Sequence, residues 1–374
     1  MTSRERLLAV IGRRVPDRVP VSPDVSFMMP VRYTGQPFWE VLLNNNPPMW
    51  QAKLALVERF HFDLILDVPL GAGPDDSLVE QRIVSKDEER WVVDEIIHTR
   101  KGDLTTRTVY FRSQSPWVIK PMVVDPEREL DALLATFTDC WRKDISEAQE
   151  IRRALGEKGI IAVGTPVPLA WWLYSRRELA TSVLDFYDRK TLVEKAMTAY
   201  GEWALEWLKA TCERLHPDLV MFSGSVASMS VVSPTLYRRY ALPWIQKATR
   251  LAHRYGVFAG VHMCGRSRAA LPLLAESGID LLEPLEALPG GDVVLADVKK
   301  QYGASFCLKG NVNTFCTLVQ GEPAEVEAEA RRVIEDAGEG GGLILSTGDQ
   351  TPGDTPEENF VALIVAAKRY GAYG

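Results

Sequence analysis

Short runs of consecutive apolar residues punctuate the chain, and longer stretches with apolar positions three and four apart separate most of them. Eight such runs stand out, at residues 19–22, 62–68, 160–165, 219–224, 257–264, 281–285, 305–309 and 343–346. Near-continuous apolar composition marks strands buried on both faces. Strands alternating with helical patterns predict parallel pairing through helical crossovers. Eight repeats of that kind predict an α/β fold, a (β/α)8 TIM barrel.

A different texture lies between the second and third runs. Residues 82–85, 90–98 and 104–112 alternate apolar and polar positions and are separated by polar turns such as Arg100-Lys101-Gly102-Asp103. This predicts an antiparallel β meander inserted after the second strand, at about 78–125, within a single domain spanning 1–374. Residues 125–156 then read as mainly helix, with Asp125 as cap and Pro126 at the first helical position. Glu322-Pro323-Ala324-Glu325 opens another helix, which the run Gly338-Glu339-Gly340-Gly341-Gly342 stops.

Composition narrows the function classes. The chain has 374 residues, 46% of them hydrophobic, and a net charge of -7. An acidic balance argues against nucleic acid and against an anionic membrane as partners. No apolar run approaches the ~20 residues of a spanning helix, and the N-terminal residues lack a secretory h-region. Five scattered cysteines do not form a disulfide framework. A cytoplasmic protein with reduced thiols is the expectation.

Candidate chemistry gathers at the carboxyl ends of the predicted strands, where barrel enzymes place their sites. His262 and Cys264 are two residues apart in one run, so on a strand they would share a face roughly 7 Å apart. An imidazole and a thiolate suit zinc, which in catalytic sites takes three protein ligands and keeps one position open. The plain alternative is that both are simply buried. Glu283 is the expected third ligand; Asp349 and the deeper Cys307 are the other candidates. Asp67, Glu283 and Asp349 are the expected catalytic acids, and Ser223, Tyr174 and Lys309 the expected substrate contacts. Lys309 at a barrel strand end would need a carboxylate partner, either Glu283 or Asp349. Trp171 and Trp172 read more readily as core.

The segments Gly12-Arg13-Arg14-Val15-Pro16-Asp17-Arg18-Val19-Pro20, Gly310-Asn311-Val312-Asn313 and Asp354-Thr355-Pro356-Glu357-Glu358-Asn359, with the His262-x-Cys264 pair, resemble the uroporphyrinogen decarboxylase superfamily. The resemblance implies a TIM barrel and one of two activities. Its decarboxylases carry an arginine-rich N-terminal segment; the matching region here offers only Arg32. Their late G-H-G segment is matched by Gly348-Asp349-Gln350, and Asp67 aligns with the aspartate that binds pyrrole nitrogens. Its cobalamin and coenzyme M methyltransferases carry the His-x-Cys pair and a final cysteine ligand, where this chain has Asp349. The resemblance therefore implies a zinc-dependent methyltransferase that moves a methyl group between a small-molecule donor or acceptor and a corrinoid on a partner protein, in a homodimer. A uroporphyrinogen-type decarboxylase and a non-catalytic ligand-binding barrel are the alternatives.

Overall fold

The computed structural model describes residues 1–70, 78–137, 144–174 and 177–373. Its strands are β1 (Leu64–Asp67), β2 (Val79–Lys86), β3 (Arg90–Thr99), β4 (Gly102–Phe111), β5 (Trp117–Lys120), β6 (Gly159–Pro166), β7 (Leu219–Ser223), β8 (Phe258–His262), β9 (Leu281–Glu283), β10 (Cys307–Val312) and β11 (Leu343–Thr347). Seven of them form one parallel sheet in the order β1-β6-β7-β8-β9-β10-β11, and β2 to β5 form a separate antiparallel sheet. The parallel strands are apolar at successive positions because both of their faces are covered, and Ile160 to Val163 and Leu343 to Leu345 are completely buried.

The first expected strand is not a full strand. Residues 19–22 make one parallel bridge, Val21 to Leu345. Pro20 has no N–H and Pro23 follows closely, so a longer ladder cannot form. The segment nevertheless bonds to both edges of the sheet. Ser22 N donates to Leu345 O at 2.8 Å, Leu345 N to Pro20 O at 2.9 Å, and Asp63 N to Val21 O at 2.8 Å.

Other boundaries moved for local reasons. Pro284 ends β9 at Glu283, and β10 runs on to Val312. β8 stops at His262, so Cys264 lies in the turn beyond it. β5, between Pro116 and Pro121, is a strand that the pattern did not reveal. The described part of 125–156 holds two helices, Pro126–Leu134 and Ser146–Leu155. Asp125 caps the first, accepting from Glu127 N and Arg128 N. Glu322 and Glu325 form a capping box on helix Pro323–Ala337. Among the described residues no helix is long and apolar enough to cross a membrane.

The helix Ser3–Ile11 fixes which end of the sheet is open. Its Leu7, Val10 and Ile11 pack with Ile160, Leu219, Leu281, Cys307 and Ile344, residues near the amino ends of five strands. That end is plugged with apolar side chains, and the carboxyl ends are left for chemistry. Asp63 ties the helix to the sheet: it is fully buried, lies 2.7 Å from Arg6 Nη1 and 3.3 Å from Arg18 Nη1, and accepts from Val21 N at 3.0 Å. Removing one member of a buried ion pair costs about 3–5 kcal/mol, because the other charge stays behind. Asp63→Ala is expected to lower stability by about that amount, measured as the shift of the urea unfolding curve at constant slope.

Candidate metal and substrate site

Sheet register brings three polar groups into one row at the open end. Ser223 pairs with His262, and His262 with Glu283. On β7, β9 and β10 the residues two positions earlier are Met221, Leu281 and Cys307, members of the apolar plug cluster. Period-two alternation therefore carries Ser223, Glu283 and Lys309 toward the same interior, one layer above the plug. A cavity of about 290 Å³ opens there, lined by Asp24, Lys53, Asp67, Ser223, His262, Glu283 and Lys309 among others.

Glu283 is the hub of the row. Its Oε1 accepts from His262 Nδ1 at 3.0 Å, and its Oε2 accepts from Lys309 Nζ. Burial by itself would raise the Glu283 carboxyl; the Lys309 ammonium and then His262 overcome it and hold it at about 2. Burial likewise works against the charge on Lys309, and Glu283 reverses this and raises it. The closeness of Lys309 to Glu283 depends on a glycine. A Cβ on Gly310 would stand 2.0 Å from Pro284 O, so only glycine lets β10 approach the chain just after Glu283.

Because Nδ1 faces Glu283, the free face of the imidazole is Nε2, which is 3.9 Å from Asp349 Oδ1. One donor atom each from His262, Cys264 and Asp349 lie within 4.8 Å of one another. Nitrogen, sulfur and oxygen are all ligands that zinc accepts, and tetrahedral ligands at its bond lengths stand about 3.5 Å apart. The three groups fit such an ion after a contraction of about 1 Å, and three protein ligands leave the fourth position open. Gly265, at φ 77°, turns the chain directly after Cys264, and its N–H is held by Glu286 Oε1. The thiol thus reaches the imidazole through a turn, not along a strand. Burial opposes charge on His262, but bonds to Cys264 and Glu283 outweigh it and raise the imidazolium well above its usual range. Burial raises the carboxyls of Asp349 and Glu286.

The expected site residues divide. His262, Glu283, Lys309, Ser223 and Asp67 line the cavity, and Asp349 joins His262 and Cys264. Glu283, the expected third ligand, stands behind the imidazole with both oxygens engaged, so the grouped oxygen donor is Asp349. Lys309 finds its carboxylate in Glu283. Tyr174 follows the helix Pro168–Leu173, is 64% exposed and is not among the lining residues. Trp171 and Trp172 are core, and Cys307 is buried in the plug. Asn311 is buried and donates to Leu285 O at 2.8 Å. Lys53, Asp24 and Glu286 escaped the sequence reading. Lys53 had a signal: it shares the inward face of helix Met49–Phe60 with Leu56, Val57 and Phe60, at spacings of three, four and seven.

The charge balance predicts how His262 titrates in metal-free protein. Its folded midpoint is raised, so the stability that its charge contributes is complete below the unfolded midpoint and fades as pH rises through the folded one. Glu283→Gln removes one of the groups that raise it. The expected result is a lower His262 titration midpoint by NMR, with that loss of stability moved to lower pH.

Comparison with known proteins adds relatives to this geometry. The pattern that defines the uroporphyrinogen decarboxylase (URO-D) family matches residues 120–370. The methylcobamide:CoM methyltransferase MtaA of Methanosarcina barkeri is 29% identical over 217 residues, which are 56% of this chain and 60% of that protein. A uroporphyrinogen decarboxylase of Methylobacillus flagellatus is 23% identical over 229 residues, 58% of this chain and 61% of that one. The matched stretch thus spans about 60% of the length of each of these relatives. A solved methyltransferase from Methanosarcina mazei superposes with a TM-score of 0.68 at 20% identity and covers 99% of both chains, so the two share a fold. With two thirds of its length inside the family pattern, this chain belongs to the uroporphyrinogen decarboxylase family.

Proposed function

We propose that the chain is a zinc-dependent, corrinoid-linked methyltransferase, which moves a methyl group between a small substrate and a corrinoid or thiol. The observation that carries this reading is the grouping of His262, Cys264 and Asp349 within 4.8 Å at the open end of the sheet. The likeness to MtaA supports it. As part of the same reading the chain works as one barrel domain over 1–374, in a cytoplasmic homodimer, with a corrinoid protein as partner and neither nucleic acid nor membrane.

Each residue then has a task that its contacts allow. Glu283 holds the Nδ1 proton of His262, so that Nε2, facing Asp349, is the nitrogen that would give its lone pair to a metal once its own proton leaves. Lys309 holds Glu283 in place and neutralises it. Ser223 and Asp67 face the cavity and meet the substrate there. Zinc bound at these three residues would supply Lewis acidity, activating a thiol or polarising the leaving group of a methyl donor.

Decarboxylation of a porphyrinogen bearing many carboxylates asks for several cations around the cavity. Among the described lining residues the ammonium groups are Lys53 and Lys309, and Lys309 is committed to Glu283. Arg32 Nη1 donates to Gly353 O and Thr355 O, both at 2.7 Å, and does not line this cavity. The methyltransferase reading is the better match.

The test is metal content together with turnover. Purified protein is expected to hold about one zinc per chain by mass spectrometry and to transfer the methyl group of methylcobalamin to a thiol. The His262→Ala, Cys264→Ser double variant should lose both. Glu283→Gln should keep the ligands but weaken zinc by roughly 10–100-fold in a chelator competition. Carbon dioxide release from a porphyrinogen without metal would sink the proposal. Retained metal with no transfer would favour a binding protein.

A further inference from the structure

Lys53 is a buried ammonium with little to hold it. It is 6% exposed and lines the cavity, yet its one hydrogen-bond partner among the described residues is Asp67 Oδ2, at 3.3 Å. An ammonium has three donors, so Lys53 brings spare ones into the cavity. Asp67 is the reverse case. It also lines the cavity, its side chain is 60% exposed, and Oδ1 makes no hydrogen bond to another described residue. The other carboxylates of the cavity have more partners: Glu283 accepts from Lys309 and His262, and Asp24 Oδ1 accepts from the neutral Ser26 N and Ser26 Oγ.

We infer that the Lys53–Asp67 pair reads the head group of a small zwitterion, an ammonium and a carboxylate on one carbon or on neighbouring ones, with the ligand carboxylate on Lys53 and its ammonium on Asp67. The inference deepens the methyltransferase reading by naming the substrate class, and it rests on that reading for the reacting end. Three charge types compete for the pair. A plain anion would satisfy Lys53 but set a further negative charge beside Asp67 and Asp24. A plain cation would draw Asp67 away and leave Lys53 buried and unpaired, which is costly. A zwitterion replaces each half of the pair with its like and leaves the charge of the cavity unchanged.

Topology separates the head group from the metal ligands. Asp67 ends β1, and His262 ends β8, three strands further around the sheet. Ser223, on the strand beside β8, lies between them. A substrate held by its head group at β1 shares one cavity with Ser223 and His262, which leaves its far end room to approach the metal ligands.

The experiment compares cysteine with cysteamine, which lacks the carboxylate, and with 3-mercaptopropionate, which lacks the ammonium. Binding to zinc-loaded protein is followed by calorimetry. Alanine, ethylamine and propionate form the same series without sulfur and read the pair whether or not metal is present. Charge-assisted bonds discriminate by roughly 10–100-fold, so cysteine should bind at least about tenfold more tightly than either truncated thiol. Lys53→Met should erase the preference over cysteamine and keep that over 3-mercaptopropionate. Asp67→Asn should do the opposite. The crossed pattern is one that general unfolding does not produce. Equal affinity for all three thiols, no thiol binding at all, or an equal loss of all three in Lys53→Met overturns the inference. A protein that holds no zinc but still prefers alanine to ethylamine and propionate would sink the methyltransferase reading and leave the pair standing.

Discussion

The site depends on how the open end of the parallel sheet tolerates Glu283, a carboxylate that is 13% exposed at the end of β9. Water is largely excluded, so the charge persists only with partners, and it has two, Lys309 Nζ on one oxygen and His262 Nδ1 on the other. At an effective dielectric near 20, a unit pair about 3 Å apart gains about 5 kcal/mol. Desolvation costs several kcal/mol per ion. The two sides nearly cancel, so the chain Lys309–Glu283–His262 contributes little to net stability. What it contributes is position: the imidazole cannot turn without breaking a charged bond. The free nitrogen therefore stays aimed at Asp349 and Cys264.

Everything around this chain serves to assemble it. The register of β7, β8 and β9 aligns Ser223, His262 and Glu283. The missing side chain of Gly310 admits β10 against Pro284, and Lys309 comes with it. At the other end, helix Ser3–Ile11 covers the amino ends of the strands with Leu7, Val10 and Ile11, so the interior below the polar row is apolar and buried. The fold does not dictate the chemistry, since unrelated activities share such frames. The methyltransferase from Methanosarcina mazei keeps the frame at 20% identity. What differs between activities is the polar row itself.

The parallel strands were legible because burial on both faces writes itself as unbroken apolar runs, as in residues 160–163 and 343–345. Caps were legible too: Asp125 and Glu322 act where their spacing predicted. The edges were not. Pro20 reduced the first strand to one bridge, and Pro284 cut β9 short, because ladder formation depends on N–H groups that hydrophobic pattern does not register. His262 and Cys264 were foreseen as neighbours for a reason that does not hold. The strand ends between them, and the turn at Gly265 brings them together. Whether Glu283 or Asp349 stands with them is a tertiary fact, decided by Lys309 from another strand. Lys53 was readable as a cation on an apolar helical face, but its partner came from β1.

The donor set carries one more consequence. Asp349 is pushed toward protonation by burial and drawn back by the charge of His262. The imidazolium in turn owes its raised midpoint to Cys264 and Glu283, against its own desolvation. A single positive charge thus stabilises several negative or electron-rich groups, and in the metal-free protein a proton on Nε2 supplies it. A dication at the same place would do this more strongly and would require that proton to leave. Proton and metal would therefore compete for one nitrogen, and Glu283 would serve both, since it holds the Nδ1 proton in either state. Replacing a thiolate by Asp349 in such a set preserves the charge of the site while exchanging a soft ligand for a hard one. An oxygen ligand would bind zinc less softly, which would leave more positive charge on a bound ion for its substrate.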